Sequence, residues 1–94
     1  MTWRVRYTST AAKQLGKLDK PQRRLIECWI EANLIGCENP RAVHGGKHMV
    51  DTENGWRYRV GSYRIVCRLL DDEVLIEVIR IGHRQGVYAN LPEI

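Results

Sequence analysis

The chain has 94 residues, 44% hydrophobic and 28% charged, enough for one globular domain spanning 1–94 but not for a doubly wound nucleotide-binding fold with a separate substrate domain. This composition excludes a disordered chain and a coiled coil. No apolar run approaches the ~20 residues of a membrane-crossing helix, and the opening MTWRVRYTST lacks the apolar stretch of a secretory signal. Lys+Arg number 15 against 11 Asp+Glu, a net charge of +4, and the basic set is 11 arginines to 4 lysines. The planar guanidinium fork suits phosphate recognition, so the bias points to an anionic partner.

Residues 3–8 alternate, with Trp3, Val5 and Tyr7 on one side and Arg4 and Arg6 on the other, which predicts a half-buried strand. Ser9 or Thr10 is then expected to cap a short helix from Ala11 to Leu18. Asp19 is expected to cap a second helix, with Pro21 in its first turn and Gln22 as capping-box partner. Leu25, Ile26, Trp29, Ile30 and Leu34 form its apolar stripe, and Gly36 stops it. So short a link between helices predicts an antiparallel helical hairpin.

Residues 37–55 read as a loop punctuated by Asn39-Pro40, Gly45-Gly46 and Asn54-Gly55. A helical turn is expected at Pro40 to Val43, and Met49 and Val50 are expected to dock on the sheet. His44 and His48 are four apart, but they bracket two glycines and have no third ligand, so no metal or other cofactor is expected. Cys28, Cys37 and Cys67 show no CxxC spacing and read as reduced, mostly buried thiols of a cytoplasmic protein.

Three strands follow, at 56–60, 63–70 and 74–81, the first two joined by Gly61-Ser62 in the pattern of a type II′ hairpin. The fold class is therefore α+β: an N-terminal strand, a helical hairpin and a three-stranded antiparallel meander, with the helices on one sheet face. The hairpin register sets Trp56, Tyr58, Val60, Tyr63, Ile65, Cys67 and Leu69 on that face. Arg57, Arg59, Arg64, Val66, Arg68 and Leu70 fall on the other, with Arg59 opposite Arg64 and Arg57 opposite Val66. Like charges facing each other across strands destabilise a sheet, and residues 56–70 contain no Asp or Glu. The face reads as a site for a nucleic-acid backbone or an acidic protein segment. The alternative is a solvated basic surface whose arginine stems cover apolar atoms.

At the exit of the last strand, Gly82-His83-Arg84-Gln85-Gly86-Val87-Tyr88 gathers three functional side chains. His83 titrates near neutrality, Arg84 suits an anionic transition state, and Tyr88 offers a ring to stack and a hydroxyl to donate. The plainer alternatives are a loop histidine and a tyrosine capping the core edge. The tail after Tyr88 is too short for another substantial helix.

The run WRYRVGSYRIVCRLLDDEVLIEVIRIGHRQGVY, with NPRAVHGGKHM before it, resembles the RelE/ParE toxin superfamily on its RelE side, over nearly the whole chain. The resemblance implies a RelE-type toxin of a type II toxin–antitoxin pair. It would act as a metal-independent endoribonuclease that cuts mRNA in the ribosomal A site by attack of the RNA's own 2′-hydroxyl. Carried over by motif position, the site residues are Arg57, Arg59, Arg64, Arg84 and Tyr88, with Arg68 and Lys47 added as RNA-binding cations. The implied partners are ribosome, mRNA and a cognate antitoxin laying an acidic or amphipathic segment over the arginine face. The free toxin is expected to be a monomer and to form a hetero-oligomer with the antitoxin. Many relatives carry lysines where this chain has Arg57 and Arg59, and arginine cannot serve as a general base. His83 is therefore the expected base, with Tyr88 second. The alternative within the superfamily is a ParE-like toxin that inhibits gyrase by binding alone. The long C-terminal helix that the resemblance would lead one to look for is not expected within these 94 residues.

Overall fold

Alternation over residues 55–83 builds most of a five-stranded sheet, and the rest of the chain supplies its two edges. The computed structural model describes residues 2–83, 85–92 and 94. In chain order it contains β1 (Arg4–Tyr7), α1 (Ser9–Gly16), α2 (Lys20–Asn33), β2 (Gly46–His48), β3 (Gly55–Val60), β4 (Tyr63–Leu70) and β5 (Leu75–His83). Short 3-10 turns occupy Pro40–Ala42, Asp71–Glu73 and Gln85–Tyr88. The strand order is β1-β5-β4-β3-β2, antiparallel throughout except that β1 runs parallel to β5. Among the described residues no helix is long and apolar enough to cross a membrane.

The α+β class and the meander stand as expected, while several local expectations are corrected. Helix α1 is capped by Thr8, whose Oγ1 accepts from Ala11 N at 3.2 Å, so Ser9 and Thr10 already lie inside the helix. Asp19 precedes α2 but makes no side-chain cap bond, and the Oε1 of Gln22 is buried without a partner, so the capping box does not form. Gly36 has φ +79°, as a helix stop requires. The segment around Gly46 does not merely dock on the sheet. It pairs with β3 as edge strand β2, and Val50 stays 82% exposed. The hairpin turn has Gly61 at φ +61°, and Ser62 is not at positive φ, as type II′ geometry demands.

Ala11 and Leu15 of α1, with Ile26 and Ile30 of α2, close over Tyr58, Val60, Tyr63, Ile65, Cys67, Leu69, Ile76, Val78 and Ile81. Ile26, Ile30, Ile65 and Leu69 are fully buried, each contributing about 1.5–3 kcal/mol of apolar burial. Leu25, expected in the stripe, is half exposed at the rim. The Asn39-Pro40-Arg41 turn is held at three points. Asn39 Oδ1 accepts from Arg41 N, the Tyr58 hydroxyl donates to Pro40 O at 2.7 Å, and Arg41 forms a bidentate pair with Asp71 at 2.9 Å. That motif is therefore a clamp between loop and sheet. Burial pushes the Tyr58 phenol far above its usual range, while the Arg41 hydrogen bonds hold the Asp71 carboxyl down.

The sheet has one irregularity with large consequences. Val66 pairs with Arg80 but Cys67 pairs with Val78, so Ile79 is an extra residue in β5. A bulge of this kind shifts the alternation by one from that point on. Glu77 therefore shares a face with Arg80 and Gly82, whereas His83 falls on the opposite face, beside Tyr63.

Candidate nucleic-acid interface

The face turned away from the helices is organised in cross-strand rows. Arg59 lies opposite Arg64, which lies opposite Gly82. The next row runs Lys47, Arg57, Val66, Arg80. The row after that runs Arg68, Glu77, Arg6. The hairpin register expected from the Gly61-Ser62 turn is the register observed, and strands β2 and β5 extend it.

The rows differ in charge balance. Glu77 is only 7% exposed and receives Arg6 Nη2 at 2.9 Å on one oxygen and the Arg68 guanidinium on the other. Burial alone would push its carboxyl up, but the hydrogen bonds from Arg6 and Arg68 outweigh this and hold it below the usual range. Arg68 is thus committed to an internal ion pair. Arg80 is also engaged, with Nη1 donating to Ile79 O and Nη2 to Asn90 O. Among the described residues, Lys47, Arg57, Arg59 and Arg64 form neither an ion pair nor a side-chain hydrogen bond.

Two clefts open among these four cations. Arg59 and Arg64 flank one of about 140 Å³ at the hairpin. A larger groove of about 490 Å³ is lined by Lys47, Met49, Arg57, Tyr88 and Leu91, among others. Its far wall is the tail. Val87 is buried and packs over Gly82, where an added Cβ would sit 3.8 Å from its side chain. The tail then crosses to the β2–β3 loop, with Ile94 O accepting from Glu53 N at 3.1 Å. Short as it is, the tail forms one side of the groove, which the sequence reading did not foresee.

Of the residues expected at the strand exit, His83 and Tyr88 are placed apart. Tyr88 is half-buried and faces the groove with Arg57. The His83 ring instead stacks on Tyr63 at 4.0 Å, on the helix side of the sheet. Arg84 lies outside the described residues. Cys28 is exposed, Cys37 half-buried and Cys67 buried, and burial pushes the Cys37 and Cys67 thiols up, away from thiolate chemistry. Among the described residues no three His, Cys, Asp or Glu side chains gather to hold a cation. Arg80 and the apolar groove walls were missed. Arg80 sits inside an ordinary strand pattern, and the walls belong to segments read as loop and tail.

Fold and face together define an α+β domain that packs two helices on one side of a five-stranded sheet and presents on the other cations without an ion-pair partner among the described residues. The chain belongs to the family described as ParE toxin of type II toxin-antitoxin system, parDE, whose model matches residues 5–88, and it is a toxin of that class. Its fold is that of RelE. It superposes on a double mutant of the E. coli toxin RelE in the free state with TM-score 0.77 at 22% identity, covering 97% of this chain and 95% of that one. It is similar to a chain of the toxin-antitoxin complex RelBE2 from Mycobacterium tuberculosis, with TM-score 0.73, 24% identity and coverage of 89% and 93%. The RelB-RelE complex from Methanococcus jannaschii gives TM-score 0.67, 26% identity and coverage of 93% and 99%. No curated protein matches the chain in sequence.

Proposed function

We propose that this toxin is a metal-independent endoribonuclease that cuts mRNA in the ribosomal A site, restrained by an antitoxin segment laid over the arginine face. The observation that carries the reading is the separation of arginines by role. Arg6 and Arg68 share Glu77 and Arg41 pairs with Asp71, while Arg57, Arg59 and Arg64 project from two strands with no carboxylate partner among the described residues. A surface kept for solubility gains nothing from placing Arg59 directly against Arg64. A phosphate between them relieves the repulsion.

In this reading the ribose 2′-oxygen attacks the adjacent phosphorus, the P–O5′ bond breaks, and a 2′,3′-cyclic phosphate and a 5′-hydroxyl result. Arg59 and Arg64 stabilise the charge that builds on the non-bridging oxygens, and Arg57 holds the flanking backbone. Tyr88 stacks on a base across the groove. Structures of RelE in complex with RelB support an antitoxin partner for this chain as well. The deciding experiment adds the purified protein to translating ribosomes and maps mRNA ends by primer extension. New ends inside codons support the reading, and intact message overturns it. Gyrase inhibition, to which the name of the matching family lends weight, predicts instead a loss of DNA supercoiling with message untouched.

A further inference from the structure

The arginine face lacks an obvious proton acceptor. Arginine as a residue type cannot serve as a general base, so Arg57 and Arg59 do not fill that role. His83, the residue expected to take the proton, is turned to the other side of the sheet against Tyr63. The groove itself holds two side chains with a nitrogen able to accept a proton, Lys47 and His48. They belong to neighbouring positions on β2 and so point to opposite faces. His48 pairs in register with Trp56, its ring 5.7 Å from the indole, on the helix side. Lys47 pairs in register with Arg57, on the cationic side, across the groove from Tyr88.

We infer that Lys47 is the general base of the cleavage reaction, taking over from the edge strand a role that arginine cannot fill on β3. The inference rests on the ribonuclease reading above. Lys47 is exposed and, among the described residues, forms no ion pair, so its amine is open to the groove. Its position is tightly set. A Cβ at the preceding residue, Gly46, would lie 2.7 Å from Trp56 Nε1 and 2.7 Å from Tyr58 Cε1, so β2 seats against these rings only with glycine there. The connecting turn is pinned by Thr52, whose Oγ1 donates to Met49 O at 2.7 Å and accepts from Gly55 N at 3.1 Å. A base must be brought to the right place before its basicity is of use, and this hairpin fixes the backbone from which the Lys47 side chain rises.

In the step itself the neutral Nζ removes the proton from the 2′-hydroxyl, and the freed oxygen pair forms the bond to phosphorus. The P–O5′ pair leaves with O5′, which takes a proton from the Tyr88 hydroxyl. Solvent then removes the proton from Lys47 and returns one to Tyr88, so the enzyme is restored without metal or co-reactant.

The test is single-turnover cleavage of mRNA on programmed ribosomes by wild type and Lys47→Arg, followed across pH. Lys47→Arg keeps the positive charge, so its affinity for the ribosome should stay within about twofold of wild type. Its cleavage rate near neutrality should fall by about 10²–10⁴-fold. The wild-type rate should climb with pH and level off as the amine becomes neutral, and the variant should lose that bend. A small primary amine such as methylamine should restore part of the activity of Lys47→Ala. Near-normal cleavage by Lys47→Arg overturns the assignment, as does a slower rate with an unaltered pH profile. In both cases a cutting wild type leaves the ribonuclease reading standing. A wild type that cuts nothing overturns that reading and the base together.

Discussion

Two stretches of the same sheet face, a few ångströms apart, use arginine in opposite ways. In the row of Arg68, Glu77 and Arg6, a carboxylate removed from water is held by two guanidiniums, and each arginine has an acid partner. In the rows of Lys47, Arg57, Arg59 and Arg64, no acid answers among the described residues, and the guanidiniums flank open clefts. The first arrangement joins β1, β5 and β4. The second leaves repulsion in place at the β3–β4 hairpin, a cost in stability that an anionic ligand reverses. One β4 residue, Arg64, belongs to the second set and another, Arg68, to the first, so the division follows the neighbouring strand rather than the residue type. The acid that neutralises Arg68 is supplied by β5, nine positions further along the chain.

This contrast is open to attack from both sides. Of the substitutions that probe the contrast between the rows, Arg64→Ala should bring the largest change: mRNA cleavage on ribosomes should drop by about 10²–10³-fold, the usual scale for losing one donor to a developing anion. Thermal denaturation should show no loss of stability, since a repulsive pair with Arg59 disappears. Glu77→Gln attacks the other row. It should lower the unfolding free energy by about 1–3 kcal/mol near pH 7, because charge-assisted hydrogen bonds from Arg6 and Arg68 are weakened. The sign with pH follows from the depressed folded-state carboxyl. Stabilisation by Glu77 is complete above about pH 4.3, the ordinary glutamate value, and is lost as pH falls through the lower folded value. Denaturant titrations of wild type and Glu77→Gln should therefore differ at neutral pH and converge in acid.

A smaller effect separates the rows by salt. If three unpaired arginines each meet one phosphate of a single strand, the logarithm of RNA affinity should fall with log salt at a slope of about −2. Glu77→Gln should leave that slope alone if Arg6 and Arg68 stay out of the interface, and a steeper slope would merge the two regions into one. The smallest change is expected at His83. With its ring on Tyr63, His83→Gln should leave cleavage within a fewfold of wild type, and a loss on the scale of Arg64→Ala would place the imidazole at the reacting phosphate after all.

Much of the sheet was legible because its cues are local. Gly61-Ser62 sets the hairpin register, the register sets the alternation, and the alternation sorts Tyr58, Ile65 and Cys67 from Arg57, Arg59 and Arg64. Strand β2 was not legible, since Gly46, Lys47 and His48 sit among turn residues and carry no apolar alternation. Its signal is the close packing of Gly46 against Trp56 and Tyr58, a contact between segments ten or more positions apart. The role of Arg68 was hidden for a similar reason, because its partner belongs to another strand.

The sequence by itself determined the α+β class, the meander, the buried face and the membership of Arg57, Arg59 and Arg64 in the opposite one, since each follows from side-chain periodicity and one turn. Only the tertiary structure decided which cations stay free and which face the last strand offers at its end. The physical reason is the single extra residue at Ile79. Simple alternation would set His83 with Glu77 on the cationic face, but the bulge reverses the parity after Val78, stacks His83 on Tyr63, and sets Gly82 on the cationic face beneath Val87 and the tail that walls the groove.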